Sequence, residues 1–383
     1  MKQIILTLLT FLTTNCFCQK IDTLSIKSQI LDEQRKLIIY TPWEYDHSEN
    51  QKFEVIYVFD AQAREIFDMV QLTTSFKNKQ ICPMIIVGII SNDRNKDFLP
   101  KNEFKETSDE YGGHLGNADK FLNFISDELV TFIDTKYRTL PKRIAVGHSN
   151  GGTFITYSFL EKPSLFDAYI AIDPNFRYDK MQFGNRFQNF NLEKLKSEKF
   201  YYICNSNIKT DEWIKARNNV ISYFESPNYQ KIIKFENQDF SATETHWTVV
   251  QNGILNGIKD YFNFQFFNSD NLLNYYSNLN KQKLIDLNPK NTNQLAYNFF
   301  YDGKPNDALK ILLWANKLFP EDLNLFDSIG EMYQNLENKP EAMKYYQMFE
   351  KKLEEQKAKI KSEDYDNMKK GVGERIKSLT DKK

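Results

Sequence analysis

The sequence predicts an α/β fold, a mostly parallel sheet with helices on both faces, followed by a small all-α region. Three observations carry this. Short apolar runs such as Phe53–Phe59, Ile85–Ile90, Ala168–Ile172 and Phe200–Cys204 have the length and composition of buried strands. Between them lie segments with helical spacing of apolar residues, so strand and helix alternate. Beyond residue 289 the chain repeats itself at an interval of 34 residues, the sign of stacked helical pairs.

The elements follow in order. Ser25–Ile30 and Leu37–Tyr40 read as strands, the second ended by Pro42. Phe53–Phe59 is a strand ending at Asp60, and Ile85–Ile90 is another after Pro83. Phe121–Ile133 has apolar residues at 121, 122, 125, 129, 132 and 133, a helical stripe. Ile144–Val146 is a short buried strand, and Thr153–Leu160 continues as a helix stopped before Pro163. Ala168–Ile172 is a strand closed by Asp173-Pro174; Phe200–Cys204 and Lys231–Phe235 are strands, with a helix over Trp213–Phe224 between them.

In the repeat, Pro305-Asn306-Asp307-Ala308 returns as Pro340-Glu341-Ala342, and Leu295, Ala296, Phe299 and Leu312 match Ile329, Gly330, Tyr333 and Tyr346. Small residues at fixed positions let antiparallel helices approach, and aromatics fill the gaps. This predicts about two tetratricopeptide-like repeats. The expected organisation is a signal peptide at 1–18, an α/β domain at 19–265, a linker at 266–288, helical repeats at 289–360 and a charged helix or tail at 361–383.

The 383 residues suffice for one large domain and a smaller one. A formal net charge of −1 implies no global attraction to nucleic acid or acidic lipid. At the N-terminus, Lys2 precedes the apolar run Ile4–Leu12, and Cys16 and Cys18 stand as small residues at −3 and −1 of a cut before Gln19. The reading is export to the periplasm or beyond the cell. The alternative is a lipoprotein acylated at Cys16 or Cys18, against which Asn15 and Phe17 count. No other stretch is long and apolar enough to cross a membrane as a helix. Cys82 and Cys204 are expected as buried free thiols, with a single bridge as the alternative. The cysteines form neither a disulfide framework nor a zinc site.

The functional candidate is Gly147-His148-Ser149-Asn150-Gly151, placed between the strand at 144–146 and the helix at 153–160. A serine on a sharp strand-to-helix turn crowds its neighbours; glycines two residues to either side relieve the crowding and leave Oγ clear. The helix start offers unpaired N–H groups to an oxyanion. A serine nucleophile needs a base, and the base an orienting acid. In this setting the chain order is serine, acid, histidine. Of four histidines, His47, His114 and His148 precede or adjoin the serine; only His246 follows it. His148 is read as structural, and His114 as a loop residue or part of the cleft wall. The acid is expected just past the strand at 200–204, at Asp211 or Glu212, with a Ser–His dyad as the alternative. The oxyanion donors are expected to be the N–H of Asn150 and that of Ala61 or Gln62.

With these segments laid out, residues 25–263 resemble the putative-esterase family of α/β-hydrolases, the esterase D and enterochelin-esterase-like group. The likeness rests on Val55-Ile56-Tyr57-Val58-Phe59-Asp60, Ile86-Val87-Gly88-Ile89, Asn92-Asp93-Arg94-Asn95-Lys96-Asp97-Phe98-Leu99-Pro100, Tyr137-Arg138-Thr139, the serine motif, Asp173-Pro174 and His246-Trp247-Thr248-Val249. It implies an α/β-hydrolase fold and a serine esterase with Ser149 as nucleophile and His246 as base, requiring no metal or cofactor. The chain departs from the family pattern at Ala61, where Gly is usual, and at Asp173, where Ser is frequent. Acyl transfer through the same site, and a non-catalytic protein docking partners through the helical repeats, are the competing expectations. The substrate class left open spans small-molecule and glycan-linked esters.

Overall fold

The structure, a computed structural model, describes residues 20–78, 83–208, 210–265 and 269–380. The expected signal peptide, with Cys16 and Cys18, and residue Cys82 lie outside the described residues.

Eight strands form one sheet: β1 (Lys20–Ser28), β2 (Glu33–Thr41), β3 (Phe53–Phe59), β4 (Met84–Ile89), β5 (Thr139–His148), β6 (Ala168–Ile172), β7 (Lys199–Asn205) and β8 (Ile233–Asp239). Their spatial order is β1-β2-β4-β3-β5-β6-β7-β8. The β1–β2 and β2–β4 pairs are antiparallel; β4, β3 and β5 through β8 run parallel. Every residue of β3, β4, β6 and β7 is buried. Alternation sends Val55, Tyr57 and Phe59 into one core and Ile56 and Val58 into the other. Each such side chain contributes about 1.5–3 kcal/mol on burial, so both faces must be covered.

One face is covered by the helical run Ala118–Lys136 and by the helices Asn150–Glu161, Tyr178–Gln188 and Asp211–Phe224. The other is covered by Arg64–Asn78 and Val249–Gln265, and its apolar cluster continues into the C-terminal helices through Leu272, Leu295, Ile311 and Leu325.

The stretch read as a linker contains a helix, Ser269–Lys281, with Leu272 and Tyr276 buried. Its apolar residues 272, 273, 276 and 279 have helical spacing, which its Asn-rich composition obscures. The hydroxyl of Tyr275 donates to Glu54 at the start of β3, and Tyr261 donates to the second oxygen of the same buried carboxylate at 3.0 Å. Two helical pairs follow, Pro289–Tyr301 with Pro305–Leu318 and Leu323–Asn335 with Lys339–Gln356; the second pair starts 34 residues after the first at both helices. Asn288, Asp322 and Asn338 cap three of the four through side-chain oxygens. A Cβ on Gly330 would stand 2.4 Å from the Tyr346 ring, so the small residue of one helix makes room for the aromatic of its neighbour. The chain closes with the helix Ser362–Thr380. No helix of the described residues is long and apolar enough to cross a membrane.

Strand order reverses around β3: β4 lies on one side of it and β5 on the other. A crevice opens at the carboxyl ends of strands at such a switch point. The segments following β3, β5 and β6 meet there.

Candidate active site

Ser149 follows β5 directly and caps the helix Asn150–Glu161 with φ 56° and ψ −121°. A non-glycine residue in such a region costs about 1–3 kcal/mol and persists only where its surroundings dictate it. Here its N–H donates to Ile172 O at 2.9 Å, and its carbonyl accepts from Thr153 N–H at 2.9 Å. The flanking glycines are steric requirements. A Cβ on Gly147 would stand 2.4 Å from the carbonyl carbon of Gly151, and one on Gly151 would stand 2.9 Å from Asp60 Oδ2.

His246 sits in a turn before the helix Val249–Gln265. Thr245 and Thr248 lock that turn by reciprocal N–H to hydroxyl bonds, 2.8 and 3.2 Å long. The His148 ring packs on the His246 ring at 4.5 Å between centroids, and His148 Nε2 donates to the His246 carbonyl at 2.8 Å. Burial, reinforced by the neighbouring His246, pushes the His148 imidazole down to about 4. Neutral His148 therefore seats the backbone of the second histidine beside the serine turn, the structural part expected of it. Trp213 and Trp247 complete the surround, with ring centroids 6.2 and 5.5 Å from that of His246. His114 is exposed and lies 3.3 Å from Asp93.

The partner of His246 is Asp173: its Oδ2 lies 2.6 Å from Nδ1. The carboxylate is almost wholly buried at the end of β6. Ser206 serves both its oxygens, the hydroxyl at 2.5 Å and the N–H at 3.1 Å. Burial opposes ionisation, but the bonds from His246 and from the Ser206 hydroxyl and N–H outweigh it and hold the carboxyl below its usual range. Asp211 and Glu212 do not reach the histidine. Both are exposed in the first turn of the helix Asp211–Phe224, where they complement its dipole, and Glu212 lies 4.0 Å from Arg177. The expectation of an acid at 211 or 212 is thus corrected: the chain leaves β7 at Asn205 and runs on to the helix before either residue is reached. The readable signal was Asp173 itself, an acid ending an apolar strand at the sheet's carboxyl edge, where it needs a partner.

Ala61 also departs from expectation. Its N–H donates to Ile89 O at 3.1 Å, extending the β3–β4 ladder beyond Phe59, so it is not free to meet an oxyanion. The next N–H, that of Gln62, has no acceptor among the described residues, and Asn150 N–H opens the first turn of its helix. The Gln62 side chain is held at both ends, by Asp60 Oδ1 at 2.6 Å and by Ser91 N–H at 3.1 Å.

The segment 92–100 supplies the rest of the wall. Asp93 caps the short helix Arg94–Phe98. Arg94 grips Asp60 through Nε and Nη2 at 2.5 and 2.8 Å, and Asp97 pairs with Arg35 in the core. Asn95 accepts from Asn150 Nδ2 at 3.0 Å, and Asn175 Nδ2 joins Asn150 Oδ1 to the Tyr111 hydroxyl at 3.1 and 2.9 Å. The Ser149 hydroxyl makes no hydrogen bond of 3.5 Å or less among the described residues. Nucleophile–base contacts are often long until substrate tightens them. Among the described residues no group of three or more His, Cys, Asp and Glu side chains is arranged to hold a metal ion. Cys204, a buried free thiol, lies in β7.

Residues 28–181 match the family whose description is Putative esterase. A ferri-bacillibactin esterase of Bacillus subtilis, BesA, is 32% identical over 146 residues, which are 33% of this chain; the chain spans half the length of that relative. Among solved structures, an IroE-like serine hydrolase from Shewanella oneidensis superposes with a TM-score of 0.61 at 21% identity, covering 78% of this chain and all of that one. An uncharacterised protein from Capnocytophaga ochracea gives 0.59 at 17% identity over 94% of this chain and 99% of its own, so the likeness in fold extends into the C-terminal helices.

Proposed function

We propose that the chain, which matches the esterase family model over residues 28–181, is a serine carboxylic-ester hydrolase working through Ser149, His246 and Asp173. The observation that carries the reading is the 2.6 Å bond from His246 to a buried carboxylate, beside a serine held at positive φ.

In this reading Ser149 Oγ attacks the ester carbonyl carbon, and His246 Nε2 takes its proton. Asp173 holds Nδ1–H and stabilises the imidazolium. The N–H groups of Asn150 and Gln62 receive the tetrahedral oxyanion. His246 then returns the proton to the leaving alcohol, giving an acyl-enzyme, and water hydrolyses it by the same steps in reverse. Export through residues 1–18 would place the reaction in the periplasm or outside the cell. The relative's name makes siderophore esters the first substrates to try. The aromatic faces of Trp213 and Trp247 beside His246 suit the aryl groups of such molecules.

The test is labelling by a fluorophosphonate probe, together with hydrolysis of p-nitrophenyl acetate and of an aryl-bearing siderophore lactone. The wild type is expected to label and to turn over both esters, and Ser149→Ala to do neither. Labelling of the variant at the wild-type level would overturn the assignment. Product analysis with an added alcohol separates hydrolysis from acyl transfer.

A further inference from the structure

The pair Arg94–Asp60 lies next to the serine turn, yet the mechanism gives it no chemical step. Asp60 directly follows β3 with φ 73°, and its carboxylate is almost wholly buried. Its oxygens are shared among three neighbours. Oδ1 accepts from Arg94 Nε at 2.5 Å and from Gln62 Nε2 at 2.6 Å; Oδ2 accepts from Arg94 Nη2 at 2.8 Å and abuts Gly151, on which a Cβ would stand 2.9 Å away. Gln62 is tied from its other end by Ser91 N–H. One carboxylate thus touches both walls of the space above Ser149: the turn that carries Gln62 N–H, and the first turn of the helix that carries Asn150 N–H. A planar guanidinium holding both oxygens fixes the plane of that carboxylate as a single ammonium charge cannot.

We infer that Arg94 is a positioning residue: through Asp60 it sets the spacing of the Gln62 and Asn150 N–H groups and so the strength of the oxyanion site. The inference rests on the esterase reading above and deepens it. Donors aimed at developing charge act only when placed to within a fraction of an ångström, and loss of one whole donor costs about a hundredfold to a thousandfold in kcat. Loosening both by breaking the clamp is expected to cost about tenfold to a hundredfold in kcat.

The experiment uses p-nitrophenyl acetate, which is small and uncharged and so offers no anion for a free guanidinium. Arg94→Lys and Arg94→Met are expected to lower kcat by about tenfold to a hundredfold, with KM within about twofold of wild type, and to slow fluorophosphonate labelling in parallel. Arg94→Met leaves a buried carboxylate unpaired and is expected to lose stability. The double variant Asp60→Asn/Arg94→Met removes that charge, and asparagine tolerates the positive φ. Its thermal midpoint is expected to return toward the wild-type value while kcat stays low. A purely structural pair would instead regain kcat with stability, and that result overturns the inference. So does an Arg94→Lys enzyme that keeps wild-type kcat on the neutral ester and shows only a raised KM for anionic esters, the mark of direct substrate binding. A wild type that neither labels nor hydrolyses defeats the esterase reading itself, and with it this one; the two failures are distinguished by the wild-type control.

Discussion

Asp173→Asn is the substitution on which the site assignment turns. The exchange keeps the shape of the side chain, and Oδ1 can still accept Ser206 N–H, now at 3.1 Å. What changes is the edge facing His246. Oδ2, at 2.6 Å from Nδ1, becomes an NH2 group, which can only donate. To accept that bond the imidazole must carry its proton on Nε2, so the nitrogen needed as base is already occupied. The Ser206 hydroxyl, 2.5 Å from the same oxygen, must also turn away or lose its acceptor. A carboxylate-to-amide change at the orienting acid of such a triad costs about four orders of magnitude in kcat, or about 5.5 kcal/mol of transition-state stabilisation. The assay is burst and steady-state release of p-nitrophenol, with fluorophosphonate labelling as a read-out of Ser149 reactivity. Asp211→Asn and Glu212→Gln, exposed at a helix start, serve as matched controls and are expected to stay within about twofold of wild type. An Asp173→Asn enzyme retaining a tenth of its kcat, or an Asp211→Asn enzyme losing a hundredfold, would refute the reasoning.

Two further expectations concern stability. His148 carries a folded-state value depressed from 6.5 to about 4. Its neutral form therefore stabilises the fold fully above the unfolded value, and this contribution drains away as pH falls through the interval between the two. At about 1.4 kcal/mol per unit the loss approaches about 3 kcal/mol near pH 4. Thermal midpoints measured from pH 7 to 4.5 are expected to fall more steeply for wild type than for His148→Gln, which still offers a donor to the His246 carbonyl; equal slopes would contradict this. The lowered Asp173 acts in a separate window, since its contribution disappears only below the ordinary carboxyl range. In the C-terminal helices, Gly330→Ala drives a methyl to 2.4 Å from the Tyr346 ring. It is expected to destabilise these helices by about 1–3 kcal/mol, seen as faster hydrogen exchange across 323–356 with kcat unchanged.

How far residues alone lead depends on how local the determining physics is. The bounds of β3 and β6 are those of the largely apolar runs Phe53–Phe59 and Ala168–Ile172, because a strand buried on both faces admits a charge only where it finds partners, as Glu54 does in Tyr261 and Tyr275, and an aspartate follows each strand. The elbow was legible for a similar reason: the steric demand on Gly147 arises from Gly151, four residues on, although that on Gly151 comes from Asp60 across the sheet edge. Elements with mixed exposure were harder to bound. β8 was expected at 231–235 but spans Ile233–Asp239, and its polar half is an edge that alternation alone must reveal. β5 begins at Thr139, well before its apolar centre. The helix Arg64–Asn78 was not anticipated, since Thr, Gln and Lys blur its stripe. Ala61 could not be excluded as an oxyanion donor from sequence, because only strand register shows that its N–H continues the ladder to Ile89.

The acid was missed for a reason that belongs to the sheet. The order serine, acid, histidine admits Asp173 as readily as Asp211, so order could not choose between them. What chose wrongly was the assumption that the acid follows β7. In register, Ile172 of β6 lies opposite Cys204 of β7, so the residues just past these two strand ends are neighbours across one inter-strand spacing of about 5 Å. A carboxylate launched from either end can reach the same imidazole. In the proposed triad the end of β6 supplies the acid, at the position where the resembling family frequently has serine, and the segment after β7 supplies Ser206, which donates to that carboxylate through both hydroxyl and N–H. The two strand ends thus divide the labour, one carrying the charge and the other its hydrogen-bond donors.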